Sequence, residues 1–308
     1  MKAGVCRLLS DLRSLLSLTR FGDIFRGICI LLRELLDVTV FPIMTILEKF
    51  CLPRTQIWWC PTAEFSLLPL HAVGTYRKSQ PNLSSLYISS YMPTLIALIH
   101  ARSKPLWHTS MTCFLAMGQA QAHGHGKLVS VTNELSSISQ HIRPVTLLTC
   151  VQSQDTNTIN FAQGLSNNNF IHLTCHGILD QKHPFVSGFA LGDSLLQVEH
   201  IICYDLQHAQ FVYLSACHTT VGDEESPDEV IHLTAAMQFA SFHSVIRMMW
   251  AVDDTHMYEI TSRFYKCTVG KSGQLDHTHA AWALHKMMRS VSKVVPLDQQ
   301  VLYIHIGA

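Results

Sequence analysis

The chain has 308 residues, of which 48% are apolar and 14% charged, with 22 Lys and Arg balanced by 22 Asp and Glu. That composition supplies a sizeable core and excludes wholesale disorder. The zero net charge, without any basic run, gives nucleic-acid binding no electrostatic support. Length alone allows one large domain or two modest ones. Ten cysteines are scattered without a CxxC pair or regular spacing, and no clean signal-peptide core follows Met1. The economical expectation is free thiols in a reducing, cytoplasmic compartment.

In chain order, residues 1–55 read as an N-terminal helical segment. Leu8, Leu9, Leu12, Leu15 and Leu16 follow helical spacing, as do Ile28, Leu31, Leu32, Leu35 and Leu36, and Pro42 and Pro53 punctuate the end. The stretch from Ile24 to Ile46 is broken by Arg26, Arg33, Glu34, Asp37 and Pro42, so it falls short of a membrane span and no membrane partner is expected. Residues 56–308 read as one α/β domain. Ile57-Trp58-Trp59-Cys60 is a strand stopped by Pro61, and Phe65 to Ala72 is a short helix or turn. Cys113 to Met117 is a strand, Asn133 to Ile142 a helix, Thr146 to Thr149 a strand and Thr158 to Leu165 a helix. Phe189 to Leu196 reads as a hairpin about Gly192-Asp193. Ser226, Pro227 and Glu229 form a capping box before a helix carrying Val230, Leu233, Met237 and Ala240. Val245 to Trp250 is a strand, two helices follow, and Val301 to Ile304 is the last strand. The alternation predicts a largely parallel sheet flanked by helices.

Two buried-looking strands end on reactive side chains. Phe170-Ile171-His172-Leu173-Thr174-Cys175 runs into His176-Gly177, and Phe211-Val212-Tyr213-Leu214-Ser215-Ala216 runs into Cys217. Chemistry in open parallel sheets collects at the carboxyl ends of strands, so a His and a Cys distant in sequence can meet there. A thiol nucleophile and its base require that arrangement.

Thr174-Cys175-His176-Gly177, followed by a hairpin and Leu214-Ser215-Ala216-Cys217-His218-Thr219, resembles the CHAT domain, the caspase-like peptidase domain often joined to TPR repeats. The match continues through Gly222-Asp223-Glu224, Glu229, His232-Leu233, Ser244-Val245-Ile246 and Trp250-Ala251-Val252-Asp253-Asp254. Upstream it includes Ile57 to Pro61 and Leu68-Pro69-Leu70-His71-Ala72, and the closing Ile304-His305-Ile306-Gly307-Ala308 is similar to fungal members. The resemblance implies the caspase-hemoglobinase fold and a cysteine endopeptidase acting on protein or peptide substrates, without cofactor or metal. It implies His176 as general base or orienting imidazole and Cys217 as nucleophile, with the main-chain N–H groups of Gly177 and Cys217 as the oxyanion hole. Relatives often have glycines where this chain reads Ala235-Ala236-Met237 and Ala240-Ser241-Phe242.

Each position also has a plainer reading. Cys217 alone would suit a buried thiol at a strand end. Cys175 points to the other side of its strand and reads as core, and His172 reads as a hydrogen-bonded strand histidine. His123-Gly124-His125 and His277-Thr278-His279 lack further ligands at fixed spacing, so no metal site is expected. Asp253 and Asp254 follow Trp250 at the strand exit, and Trp250, Val252 and Asp254 are similar to the Trp-x-Val-x-Asp frame in which separase-like relatives receive a basic side chain; equally, Asp254 is a helix N-cap. The run Asp223-Glu224-Glu225 is either a negative cleft rim or a solvated loop. The alternative to a peptidase is a catalytically idle CHAT module serving as a protein-interaction scaffold. Partner recognition through TPR repeats would then be lost in cis or supplied in trans. An α/β-hydrolase is disfavoured because there is no Gly-x-Ser-x-Gly elbow.

Overall fold

The apolar runs resolve into a single ten-stranded sheet flanked by helices in the computed structural model. It describes residues 2–308 apart from 19–20, 78–79, 104–111, 123, 144–145, 153–154, 179, 181, 193–194, 205, 207, 219–231, 251–253 and 270–273. The strands are β1 (Gln56–Trp59), β2 (Ile88–Tyr91), β3 (Cys113–Gly118), β4 (Leu147–Gln152), β5 (Phe170–Ile178), β6 (Gly188–Ala190), β7 (Leu195–Gln197), β8 (Phe211–His218), β9 (Ser244–Met248) and β10 (Tyr303–Gly307). Their order is β1-β2-β10-β9-β8-β5-β3-β4, with β6 and β7 extending from β5 as an antiparallel hairpin. Strands β9, β8, β5, β3 and β4 form one parallel block, and β10, β2 and β1 another; the two meet antiparallel at β9 and β10. The central strands β5 and β9 are buried almost throughout, as expected of a parallel sheet covered on both faces.

Helices α1 (Lys2–Leu16), α2 (Phe21–Leu35) and α3 (Phe41–Phe50) precede the sheet. The short α4 (Leu83–Leu86) leads into β2, and α5 (Leu95–Ser103), α6 (Val131–Ile142), α7 (Thr158–Asn167) and α8 (Val198–Ile202) follow in turn. The chain continues with α9 (His232–Phe239), α10 (Asp254–Thr268), α11 (Ala280–Val291) and α12 (Leu297–Gln300). Helices α6 and α10 pack together over the face of the sheet that carries Phe114, His172 and Tyr213. Phe264 lies 5.9 Å from Phe211 and 5.2 Å from Tyr213, and Tyr265 lies 5.6 Å from Phe114.

The N-terminal helices share the main core. Leu8, Leu12, Ile28, Leu31, Leu32 and Leu35 are buried in the same cluster as the sheet's side chains, and the Arg33 guanidinium donates twice to the Thr75 carbonyl. Helix α3 differs: none of its residues is buried, and Phe41, Ile46 and Phe50 are exposed.

Most expected elements occur where the periodicity put them. Strand β2, reading Ile-Ser-Ser-Tyr, escaped the pattern, and β10 starts at Tyr303 rather than Val301. The capping box at 226–229 and the acidic run at 223–225 lie outside the described residues, and the described helix α9 begins at His232. Among the described residues no helix is long and apolar enough to cross a membrane.

Candidate active site

Strand β3 connects outward to β4, whereas β5 lies on its inner side, so the connections diverge at the carboxyl ends of β3 and β5. A crevice opens at such a switch point, and ligands of open α/β sheets bind there. His176 sits at that end of β5 and is buried at 7% exposure. The parallel register makes Cys217 in β8 its direct partner, with Gly177 opposite His218. Neighbouring strands run roughly 4.8 Å apart, and register partners lie on the same side of the pleat. The backbone therefore brings the predicted His and Cys positions together. Cys217 is described through its backbone alone, and its side chain lies outside the description.

The His176 ring is fixed by the loop after β3. Its Nε2 lies 2.7 Å from the Gly126 carbonyl oxygen. A carbonyl only accepts, so Nε2 carries the proton and Nδ1 of the neutral ring holds the free lone pair. That Nδ1 is buried and has no partner among the described residues. His125 stacks on the ring at 5.1 Å with planes 28° apart. The loop is itself tied down: Gln119 N–H donates to the Thr174 carbonyl, and Leu128 N–H to that of Ala120. A fixed imidazole with one tethered N–H and one unpaired basic nitrogen is equipped to take a proton from a neighbouring thiol.

Beneath His176, on the same face of β5, lies a wholly buried polar cluster. Glu134 of α6 accepts from the hydroxyls of Thr174 (3.1 Å) and Thr261 (2.8 Å). His172 Nε2 stands 3.1 Å from Glu134 and 2.8 Å from Thr174 Oγ1, and its Nδ1 meets the Tyr265 hydroxyl at 2.9 Å. Burial, then Tyr213 and Glu134, holds the Tyr265 phenol far above its ordinary range, so it remains neutral. His172 is thus a fully bonded strand histidine, as its pattern suggested. Cys175 faces the core at 0% exposure, and burial pushes its thiol up, which leaves it inert.

The remaining predicted positions are resolved unevenly. Gly177 is buried, with Phe189 of β6 on one side and His218 of β8 on the other. Trp250 is buried at 5% exposure, and its indole nitrogen has no partner among the described residues. Asp254 opens α10 and is described through its backbone alone; Asp253 lies outside the described residues. Among the described residues no three metal-ligating side chains cluster, and no disulfide joins the cysteines. Sequence reasoning missed Gly126, His125 and Glu134. A carbonyl partner leaves no mark in a side-chain pattern, and Glu134 on a helix looks like any solvated charge until α10 is seen to cover it.

Comparison with known proteins identifies a family and a fold. The CHAT domain family matches residues 30–298. The yeast separase–securin complex (Saccharomyces cerevisiae) superposes with a TM-score of 0.57 at 12% identity, covering 81% of this chain and 15% of that one. The complex of the Porphyromonas gingivalis RgpB pro- and mature domains gives a TM-score of 0.53 at 9% identity, covering 87% and 67%. At such identities the likeness is one of fold: a caspase-like α/β architecture. The chain spans only a small part of the separase. No curated protein matches it.

Proposed function

Because the chain belongs to the CHAT domain family, we propose that it is a cysteine endopeptidase acting through a Cys217–His176 dyad. The observation that carries this reading is the register pairing of the two residues, together with an imidazole whose Nε2–H is held by Gly126 and whose Nδ1 has no partner among the described residues. In the proposed reaction Nδ1 takes the thiol proton and the Cys217 thiolate attacks the scissile carbonyl. The imidazolium then protonates the leaving amine, and water, deprotonated by the same imidazole, hydrolyses the thioester. The N–H groups of Gly177 and Cys217 would receive the developing oxyanion.

Specificity for Arg or Lys before the scissile bond fits Asp253 and Asp254 following Trp250. Trp250 follows β9, the strand that pairs in parallel with the Cys217 strand β8. A cytoplasmic setting and a helical-repeat partner, in cis or in trans, belong to the same reading; the uncovered apolar residues of α3 suit such a partner. The test is hydrolysis of fluorogenic peptides ending in Arg, Leu or Asp. The expected outcome is Arg-directed cleavage whose kcat/KM drops about 10²–10⁴-fold in His176→Ala. Wild-type protein inert toward every peptide, with or without added partner, would favour the scaffold.

A further inference from the structure

Away from the switch point, a cavity of about 620 Å³ opens between α2, the turn at 70–72, β2, and the α11–α12–β10 segment. Its size falls within the usual range for small-molecule sites, about 300–1,000 Å³. Its walls are largely apolar and aromatic, including Phe25, Tyr87, Leu284 and Met288.

The polar groups on its floor satisfy one another. The His71 N–H donates to the Tyr91 hydroxyl at 3.1 Å, and that hydroxyl meets His71 Nδ1 at 2.8 Å. Burial holds His71 down to about 4 and pushes the Tyr91 phenol up, so both are uncharged at neutral pH. Among the described residues no Asp or Glu lines the cavity, and Arg289 is the formally charged residue in its wall. Arg289 is exposed and makes no ion pair with any described residue. Its charge reaches the neighbouring imidazole: burial, then Arg289 and Arg54, hold His285 below its ordinary value. The Arg289 guanidinium therefore stands at the wall of a largely apolar cavity; Arg54, which acts on His285, and Glu48, which acts on Tyr87, are not among the lining residues.

We propose that this cavity binds an amphipathic monocarboxylate, with an aliphatic or aromatic body in the pocket and its headgroup on Arg289. The guanidinium fork matches a carboxylate in two parallel hydrogen bonds, and the aromatic walls take the apolar body. Removal of the acid's hydrocarbon from water drives entry, and the cation selects the sign of the head.

Calorimetric titration of the full chain with dodecanoate, and separately with dodecyltrimethylammonium, tests this. Dodecanoate is expected to bind at a single saturable site, at least about tenfold tighter than the cation. Arg289→Met weakens dodecanoate about tenfold or more, and Met288→Trp, which fills the pocket, weakens it further. Lys286→Met serves as control: its ammonium lies over the Trp282 ring at 4.7 Å, and the substitution leaves affinity within about twofold. Equal affinity for the two head groups, insensitivity to both Arg289→Met and Met288→Trp, or no saturable binding would overturn the proposal.

Discussion

The Gly126 carbonyl holds the Nε2–H of His176, which fixes the tautomer, and the buried Nδ1 has no partner among the described residues, which do not include the Cys217 side chain. The contrast with His172, four residues earlier on the same face, is instructive, since both of its nitrogens are bonded. One strand thus presents an imidazole bonded at both nitrogens and one bonded, among the described residues, at Nε2 alone. The former depends on Glu134, which serves Thr174, Thr261 and His172 together at zero exposure. Glu134→Ala is therefore expected to cost about 3–5 kcal/mol in urea unfolding, because it strands those partners in the core. Glu134→Gln, which keeps an acceptor oxygen, should cost distinctly less; a loss within about 0.5 kcal/mol for the alanine variant would show that the cluster carries no stability.

At the scale of elements, β10 joins the two parallel blocks of the sheet by pairing antiparallel with β9. His305 there bonds Ser90 of β2 through Nδ1 (2.8 Å) and Ser244 of β9 through Nε2 (2.9 Å). Burial, then the charge of His277, lowers its proton affinity to about 3 from 6.5 in the open chain. The unfolded chain consequently binds this proton first as pH falls. The stabilisation is fully present above pH 6.5 and drains away down to about pH 3, at roughly 1.4 kcal/mol per pH unit. Urea titrations at pH 7 and about pH 5 should show a slope in His305→Gln that is shallower than the wild type's by about that amount, with buried His71 supplying part of what remains; the same slope in both would refute the assignment. The strands of the parallel block were readable in the sequence because their apolar runs need no partner to be recognised. Strand β2 was not, since Ser89 and Ser90 answer Trp59, Gln56 and His305, polar groups supplied from distant segments. The candidate site divides the same way: strand-end side chains were legible, whereas the Gly126 carbonyl, a main-chain atom in a loop, was not.

For the whole molecule, periodicity and Pro53 mark a helical segment at 1–55, and its apolar face packs on the sheet domain. Leu8, Leu12, Ile28, Leu32 and Leu35 join the sheet's core, and the family match begins at residue 30, inside α2. Each such side chain contributes about 1.5–3 kcal/mol when fully buried. A fragment starting at Gln56 should therefore unfold at a markedly lower urea concentration than the full chain, and an equal midpoint would support two independent units. The strand order, which puts β5 between β3 and β8, was invisible in the sequence because pairing is a long-range property. That order is what brings His176 beside Cys217. The measurement that bears most directly on this pairing is covalent labelling with an Arg-directed acyloxymethyl ketone, read by intact mass and peptide mapping in wild type, Cys217→Ala and His176→Ala. The account predicts a single adduct on Cys217 that disappears in both variants. Equal labelling of exposed thiols such as Cys60 and Cys203, or labelling of Cys217 undiminished in His176→Ala, would contradict it.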